Sequence, residues 1–202
     1  MRGEEVDMRR LGARLLGAGV LVALLAATGP GRELELEQTL HQMNVSLELP
    51  QAAVMLPLPE QSDVICQLAY RLPGRRYEVR GSFFPMEHIA AQAQGSAIDD
   101  YVQIFTVLLL RCIAQQEMYC SRVVELPEQS VEREFGADHG LTALLKGGSS
   151  EFSRGYRYVV VNSLYKKDSG IVNIYFLYDD PADLDMDSFE YARAYYCFTF
   201  ED

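Results

Sequence analysis

Positive charge is scarce in this sequence. Lysine and arginine number 18 against 29 aspartates and glutamates, so the formal net charge is −11. No stretch gathers the basic residues into a patch, and an acidic surface repels both nucleic-acid phosphates and anionic membranes. We therefore expect no nucleic-acid partner, and we expect contact with a membrane only through an uncleaved N-terminal segment.

Motifs for nucleophilic, zinc and nucleotide chemistry are missing as well. The sequence contains neither GxSxG nor HExxH, and the glycines at 147 and 148 lack the lysine of a phosphate-binding loop. Histidine occurs three times in unrelated contexts, at His41, His88 and His139. These absences predict no cofactor and favour a protein that is not an enzyme. A secreted hydrolase with an unrecognised carboxylate or thiol site is the alternative.

Cysteine is also rare, and none of the four cysteines belongs to a CxxC pair or a zinc-finger spacing. In an oxidising compartment they could form two disulfides, each linking a predicted central helix to a strand. Cys112 and Cys120 are not expected to pair, because a spacing of eight positions along a helix spans about 12 Å, and a disulfide bridges at most about 7 Å. Four buried thiols acting as small apolar side chains are the alternative. The four are Cys66, Cys112, Cys120 and Cys197.

The N-terminal segment has the composition of a leader. Arginines at positions 9, 10 and 14 precede an uncharged run over residues 15–31, which is the order of charge and hydrophobicity in an export signal. Small residues at 27 and 29 suit a cleavage site, although Pro30 is a poor residue to follow the cut. Residues 1–31 are predicted to be an export signal or an uncleaved signal anchor. A buried helix of a soluble protein is the third interpretation of this segment. The predicted location is extracytoplasmic, in the periplasm or at the cell surface.

A long buried helix is predicted at the centre of the remaining chain. From Ala97 to about Cys120, apolar residues recur three and four positions apart and leave only a narrow polar strip. The uninterrupted apolar part is shorter than the roughly 20 residues that cross a bilayer, so we expect this helix inside the protein. A buried strand over residues 102–107 is an alternative, because this part is rich in β-branched side chains.

Alternating patterns on either side of this helix predict strands. An N-terminal β-hairpin is predicted from Val64 to Phe83, because a Pro73-Gly74 turn of type II separates two alternating runs. The runs 156–165, 171–178 and 189–200 predict a C-terminal three-stranded antiparallel meander. Residues 32–202 are therefore predicted to form a single α+β domain. Shorter helices are predicted at 33–43 and 86–94, between Pro127 and Gly136, and at 141–146.

Tyrosine is abundant in the predicted meander, which contains eight of the twelve tyrosines. Their positions alternate between the two faces of the strands rather than sharing one face. A sheet that is apolar on both faces needs a covering layer on each. The pattern therefore favours core packing over a tyrosine-lined binding surface.

One acidic constellation resembles a cation site. Asp183, Asp185 and Asp187 alternate as do the first three ligand positions of a calcium loop, whose oxygen donors suit that ion. Ser188 stands where the turn glycine belongs, and Ala194 where the bidentate glutamate belongs, so the segment is not an EF-hand. A weak calcium site and a solvated acidic loop are the two interpretations.

Taken together, these features predict an exported cell-envelope protein that acts as a non-enzymatic binding or structural module. The export signal and the lack of catalytic spacing support this expectation. A secreted hydrolase would need a histidine within reach of a carboxylate or thiol. A carrier of small apolar ligands would need a closed apolar cavity of roughly 300 Å³ or more. A binding module would show an exposed aromatic patch or a free sheet edge.

Overall fold

The computed structural model describes residues 32–58, 64–93, 102–103, 106–107, 109–110, 120–146 and 151–201. The predicted leader, residues 1–31, lies outside this part of the chain. The described residues combine helices and strands in one sheet-rich body, as the predicted α+β class requires.

Helices and strands are interspersed along the described chain. The helices are α1 (Arg32–Gln42), α2 (Met86–Ala93), α3 (Glu128–Phe135) and α4 (Phe189–Tyr195), with a 3₁₀ helix at Pro181–Asp183. The strands are β1 (Val45–Leu47), β2 (Val54–Met55), β3 (Leu68–Arg71), β4 (Glu78–Pro85), β5 (Cys120–Glu125), β6 (His139–Lys146), β7 (Tyr158–Lys166), β8 (Gly170–Tyr178) and β9 (Phe198–Phe200).

An antiparallel sheet in the order β2-β3-β4-β8-β7-β6-β5 forms the centre of the described structure. The strands β4, β7 and β8 are the most buried of its long strands, and β8 lies between the other two. A second sheet pairs β1 with β9 and so joins the two ends of the described chain. The central position of β8, which is buried along its whole length, explains its almost continuous apolar sequence.

The apolar face of the large sheet is covered by α1, α3, α4 and the small sheet. Met43, which directly follows α1, packs with Phe135 of α3 and Phe198 of β9 against the strands in one core cluster. Gly136 ends α3 with a left-handed φ of 62°, and its amide donates to the Glu132 carbonyl. A side chain there would collide with the Phe200 carbonyl, so the glycine lets α3 pack directly on β9.

The opposite face, here called the polar face, carries a second cluster beneath α2 and residues 109–110. Phe84, Tyr175 and Phe152 are buried there, and Phe152 meets Tyr175 edge to face at 4.8 Å. Both faces are therefore covered, as the distribution of aromatic residues indicated.

The predicted central helix lies mostly outside the described residues. Its described positions, 102–103, 106–107 and 109–110, are helical, which disagrees with the alternative of a buried strand. Thr106, Leu109 and Leu110 are buried. Cys120 is already the first residue of β5, so the helix does not extend that far. The prediction against a Cys112–Cys120 disulfide assumed that both residues lie on one helix, and this assumption is wrong.

Two further predictions of secondary structure are wrong. Residues 141–146 form part of β6 instead of a helix, because this segment is paired along its length with β7. Residues 189–200 form α4 and β9 instead of a third meander strand. The Ser188 hydroxyl accepts the Tyr191 amide at 3.2 Å and starts α4, and β9 pairs with β1 instead of with β8.

Candidate functional site

A polar cleft opens at the end of the large sheet where β3 finishes and β7 begins. Its volume is about 520 Å³, which is within the range of ligand sites. The cleft is open rather than enclosed, and charged side chains dominate its lining. The lining residues are Arg71, Arg75, Arg76, Tyr156, Arg157, Asp179, Asp180 and Asp183.

A tight turn after β3 places three of the four arginines. The Arg75 amide donates to the Leu72 carbonyl at 3.1 Å, and Gly74 has a φ of 75°. Proline at the second position and glycine at the third suit a type II turn of this kind. Because the turn reverses the chain within four residues, Arg71 and Arg76 lie on either side of it and both reach the cleft.

The three aspartates of the cleft are engaged with backbone amides. Asp179 accepts the Arg157 amide at 3.1 Å, Asp180 accepts the Ala182 amide at 2.9 Å, and Asp183 accepts the Asp180 amide at 3.3 Å. The last two contacts form a reciprocal capping box at the start of the 3₁₀ helix. These carboxylates therefore hold the segment 179–183, which lines one side of the cleft, in a fixed conformation.

The arginines are less engaged than the aspartates. Arg71 lies 3.4 Å from the Tyr156 hydroxyl, which is a weak contact. Arg75 is the exception, because its guanidinium lies 2.7 Å from Glu190 and 3.9 Å from Asp185. Among the described residues, Arg76 and Arg157 have no side-chain hydrogen bond or ion pair. Their guanidinium groups are available to a ligand.

The pKa of Glu190 is lowered by its own backbone amide and then by the guanidinium of Arg75. The Glu190 side chain is 51% exposed, so solvent screens this contact and its contribution to stability is small. Its effect is geometric, since it ties the turn after β3 to α4. Arg75 therefore acts as a structural edge of the cleft rather than a free cation.

A buried ion pair between Glu78 and Arg80 holds the loop that carries Tyr156 to the cleft. Glu78 is 2% exposed and Arg80 is not exposed at all, and the Arg80 Nε and Nη2 atoms both lie 2.6 Å from Glu78 Oε1. Arg80 Nη1 donates to the Phe152 carbonyl, and its guanidinium lies 5.1 Å from the Phe152 ring centroid. Arg80 thus anchors the loop 151–157, and this loop presents Tyr156 to the cleft.

The sequence-predicted calcium ligands do not converge. Asp183 caps the 3₁₀ helix, Asp185 lies near Arg75, and Asp187 is exposed with no described partner. Within the described part of the chain, no three histidine, cysteine, aspartate or glutamate side chains are arranged to hold a metal ion. A calcium site at these residues stays a prediction from the sequence.

Two of the four cysteines are described with their side chains, and both are free thiols. Cys66 donates to the Leu68 carbonyl at 3.0 Å, and burial raises its pKa to about 11 although Arg80 favours the thiolate. Burial also raises the pKa of Cys197 to about 11, against the hydrogen bond from Tyr70. Such thiols are poor nucleophiles near neutral pH. Cys112 lies outside the described residues, as does the side chain of Cys120.

The histidines lie at the surface on three different elements, α1, α2 and β6. His88 Nε2 is 3.9 Å from Glu87, and His139 Nδ1 is 3.9 Å from Glu128, which is beyond hydrogen-bond reach in both cases. His41 is exposed near the end of α1. Among the described residues no histidine lies within hydrogen-bond distance of a carboxylate or a thiol.

Sequence reasoning missed the arginine-lined cleft. A local signal was present, because three arginines fall within residues 71–76 of a chain that is otherwise acidic. Arg157 and the aspartates reach the same place only through the pairing of β3, β4, β8 and β7.

Comparison with known proteins gives no relative from which to infer a role. No protein-family model matches the chain, and no curated protein has a significantly similar sequence. None of the described helices has the length and apolar content needed to cross a membrane.

Proposed function

We propose that this protein is an exported, non-enzymatic binding module that holds a carboxylate group of its ligand in the arginine-lined cleft. The observation that carries the proposal is the concentration of arginine in this cleft. Four arginines line it in a chain with a net charge of −11. Guanidinium groups recognise carboxylates through paired, charge-assisted hydrogen bonds.

The balance of charge in the lining favours a ligand with a single negative charge. Four arginines face three aspartates, which leaves a net charge of +1. A polyphosphate or nucleic-acid strand would meet the aspartates and the acidic surface around them, at a repulsive cost. A carboxylate needs only one or two guanidinium groups, and Arg76 and Arg157 have no partner among the described residues.

Export is supported by the leader pattern of residues 1–31. It is tested by fractionating the native host and sequencing the N-terminus of the protein. Recovery from the extracytoplasmic fraction, either without its leader or held to the membrane by it, is the expected result. Recovery from the cytosol with residues 1–31 present would contradict it.

Binding is tested by nuclear magnetic resonance titration of the protein with N-acetylglycine and, separately, with inorganic phosphate. We expect shifts confined to the cleft, with N-acetylglycine binding more tightly than phosphate. The Arg157→Ala variant is expected to bind N-acetylglycine about tenfold more weakly, because it removes one charge-assisted contact.

Arg133→Ala is the matched control, because Arg133 is an exposed arginine on α3 that pairs with Glu134 outside the cleft. It should leave binding unchanged. Equal loss in both variants would indicate a general effect of charge rather than a site. No shift in the cleft with either probe would overturn the proposal.

A further inference from the structure

We infer that the carboxylate held in the cleft is the C-terminus of an extended polypeptide, which adds as a strand to the free edge of β2. This inference rests on the proposed function and specifies the ligand class. It combines two features that adjoin one another, a free sheet edge and the arginine-lined cleft.

The strand β2 is the outermost strand on one side of the described sheet. Its two residues, Val54 and Met55, are 55% and 56% exposed, which is unusual for large apolar side chains of a sheet. An edge strand offers unpaired backbone groups to another chain, and exposed apolar side chains beside them add contact area.

The register of β2 shows which backbone groups are free. The Leu56 amide donates to the Ala69 carbonyl at 2.9 Å, so Leu56 directs its backbone groups toward β3. In an antiparallel pair, consecutive residues direct these groups to opposite sides. The backbone groups of Val54 therefore also point toward β3, whereas the amide and carbonyl of Met55 point away from β3, at the open edge of the described sheet.

The cleft lies at one end of this edge. Val54 is the ladder partner of Arg71, and Arg71 lines the cleft. A peptide that runs antiparallel to β2 ends beyond Val54, so its terminal carboxylate reaches the arginines. A parallel peptide would place its positively charged amino terminus beside Arg71, which is unfavourable.

The other edge strand of the described sheet, β5, has no cluster of arginines beside it. Val123 and Val124 of β5 are also exposed, at 50% and 38%. Their neighbours Arg122 and Glu125 carry opposite charges. The arginine of the cleft nearest to β5 in the strand order is Arg157, which precedes β7, and β6 separates that strand from β5. Charge complementarity therefore assigns the peptide to β2.

The inference is tested with an acetylated pentapeptide of alternating valine and threonine, made with a free C-terminal acid and, separately, with a C-terminal amide. Calorimetry should show the acid binding about tenfold more tightly than the amide, a difference of about 1.4 kcal/mol. The acid should also bind more tightly than N-acetylglycine, because it adds backbone hydrogen bonds at Met55.

The variant Met55→Pro removes the outward amide without removing a ladder hydrogen bond, because that amide does not face β3. It should weaken pentapeptide binding at least about fivefold and leave N-acetylglycine binding unchanged. Met55→Thr keeps the amide and should bind the peptide nearly as well as the native protein.

A pentapeptide with one N-methylated amide tests the same contact without altering the protein. Methylation at the position facing Met55 should abolish the gain over N-acetylglycine, and methylation one residue away should not. Equal binding of the acid and the amide, or no effect of either methylation, would overturn the inference. The proposed function would still hold if N-acetylglycine bound in the cleft.

Discussion

The two faces of the large sheet are both buried, yet their buried residues differ in kind. The face beneath α1, α3 and α4 is almost entirely apolar, with Asn162 as a buried polar exception. The polar face carries a row of buried polar and charged side chains on β4, β8 and β7. These are Glu78, Arg80, Ser82, Asn173 and Ser163.

This difference means that one face stabilises the fold by apolar packing, whereas the other face holds specific side chains and a loop in position. On the apolar face, contacts are non-directional, so side chains of similar volume can replace one another at modest cost. On the polar face, Arg80 must meet both Glu78 and the loop 151–157 in one geometry. The cleft borders this second face, since Arg71 pairs with Glu78 across β3 and β4. The face with directional contacts is thus the one that supports the candidate site.

The strongest test of this comparison is Arg80→Ala. It leaves the Glu78 carboxylate buried without its partner, and we expect a loss of about 3–5 kcal/mol in unfolding free energy. Urea denaturation measures the loss. The double variant Glu78→Leu with Arg80→Met should recover most of it, because it removes both buried charges. A loss below about 1 kcal/mol for Arg80→Ala would show that the pair is solvated.

On the apolar face, Ile174→Ala is the corresponding change. Ile174 is 1% exposed and neighbours Asn173 on the same strand, but it points to the opposite face. Loss of its packing should cost about 3 kcal/mol by urea denaturation, and Ile174→Val should cost about 1 kcal/mol. Unlike Arg80→Ala, neither change should alter binding of N-acetylglycine, since neither affects the loop 151–157.

The same contrast explains which parts of the fold could be predicted from the sequence. The strands β4, β7 and β8 have an alternating or continuous apolar pattern that is visible in the sequence. The helices α1, α2 and α3 have local start and stop signals, and they coincide with segments predicted to be helical. The segment 141–146 consists largely of good helix formers, and its pairing with β7 overrides that preference. Ser188 was a local signal for the start of α4. The aromatic residues that follow it are typical of strands, so the segment was predicted to be a strand.

The candidate site could not be predicted in the same way. Its residues come from three segments, 71–76, 156–157 and 179–183, which are far apart in the sequence. The order of the strands joins these segments, and strand order depends on long-range packing rather than on any local pattern. The sequence alone therefore indicated an acidic protein without a positive site, whereas the fold concentrates arginine at one place.

The two faces each bury one of the described thiols, Cys197 in the apolar cluster and Cys66 beside the second cluster. Burial raises the pKa of both thiols from 9.0 to about 11. A raised thiol pKa contributes stability below pH 9, and this contribution is lost as the pH rises through about 11. Cys197→Ala does not titrate, so its stability relative to the native protein should improve by about 2 kcal/mol between pH 8 and pH 11. Urea denaturation at both pH values measures the change. A constant difference would show that Cys197 is open to solvent.

The smallest effect, and the most discriminating one, is expected for Asn173→Leu. Asn173 is fully buried on the polar face between Ser82 and Ser163, and neither its amide nitrogen nor its oxygen has a hydrogen-bond partner among the described residues. Leucine has a similar branched shape and needs no such partner, so we expect a gain of about 1 kcal/mol in urea denaturation. Asn173→Asp, which buries a charge, should instead destabilise the protein. A loss of stability in Asn173→Leu would mean that the amide is satisfied by an internal water, and the polar face would then be hydrated while the apolar face is dry.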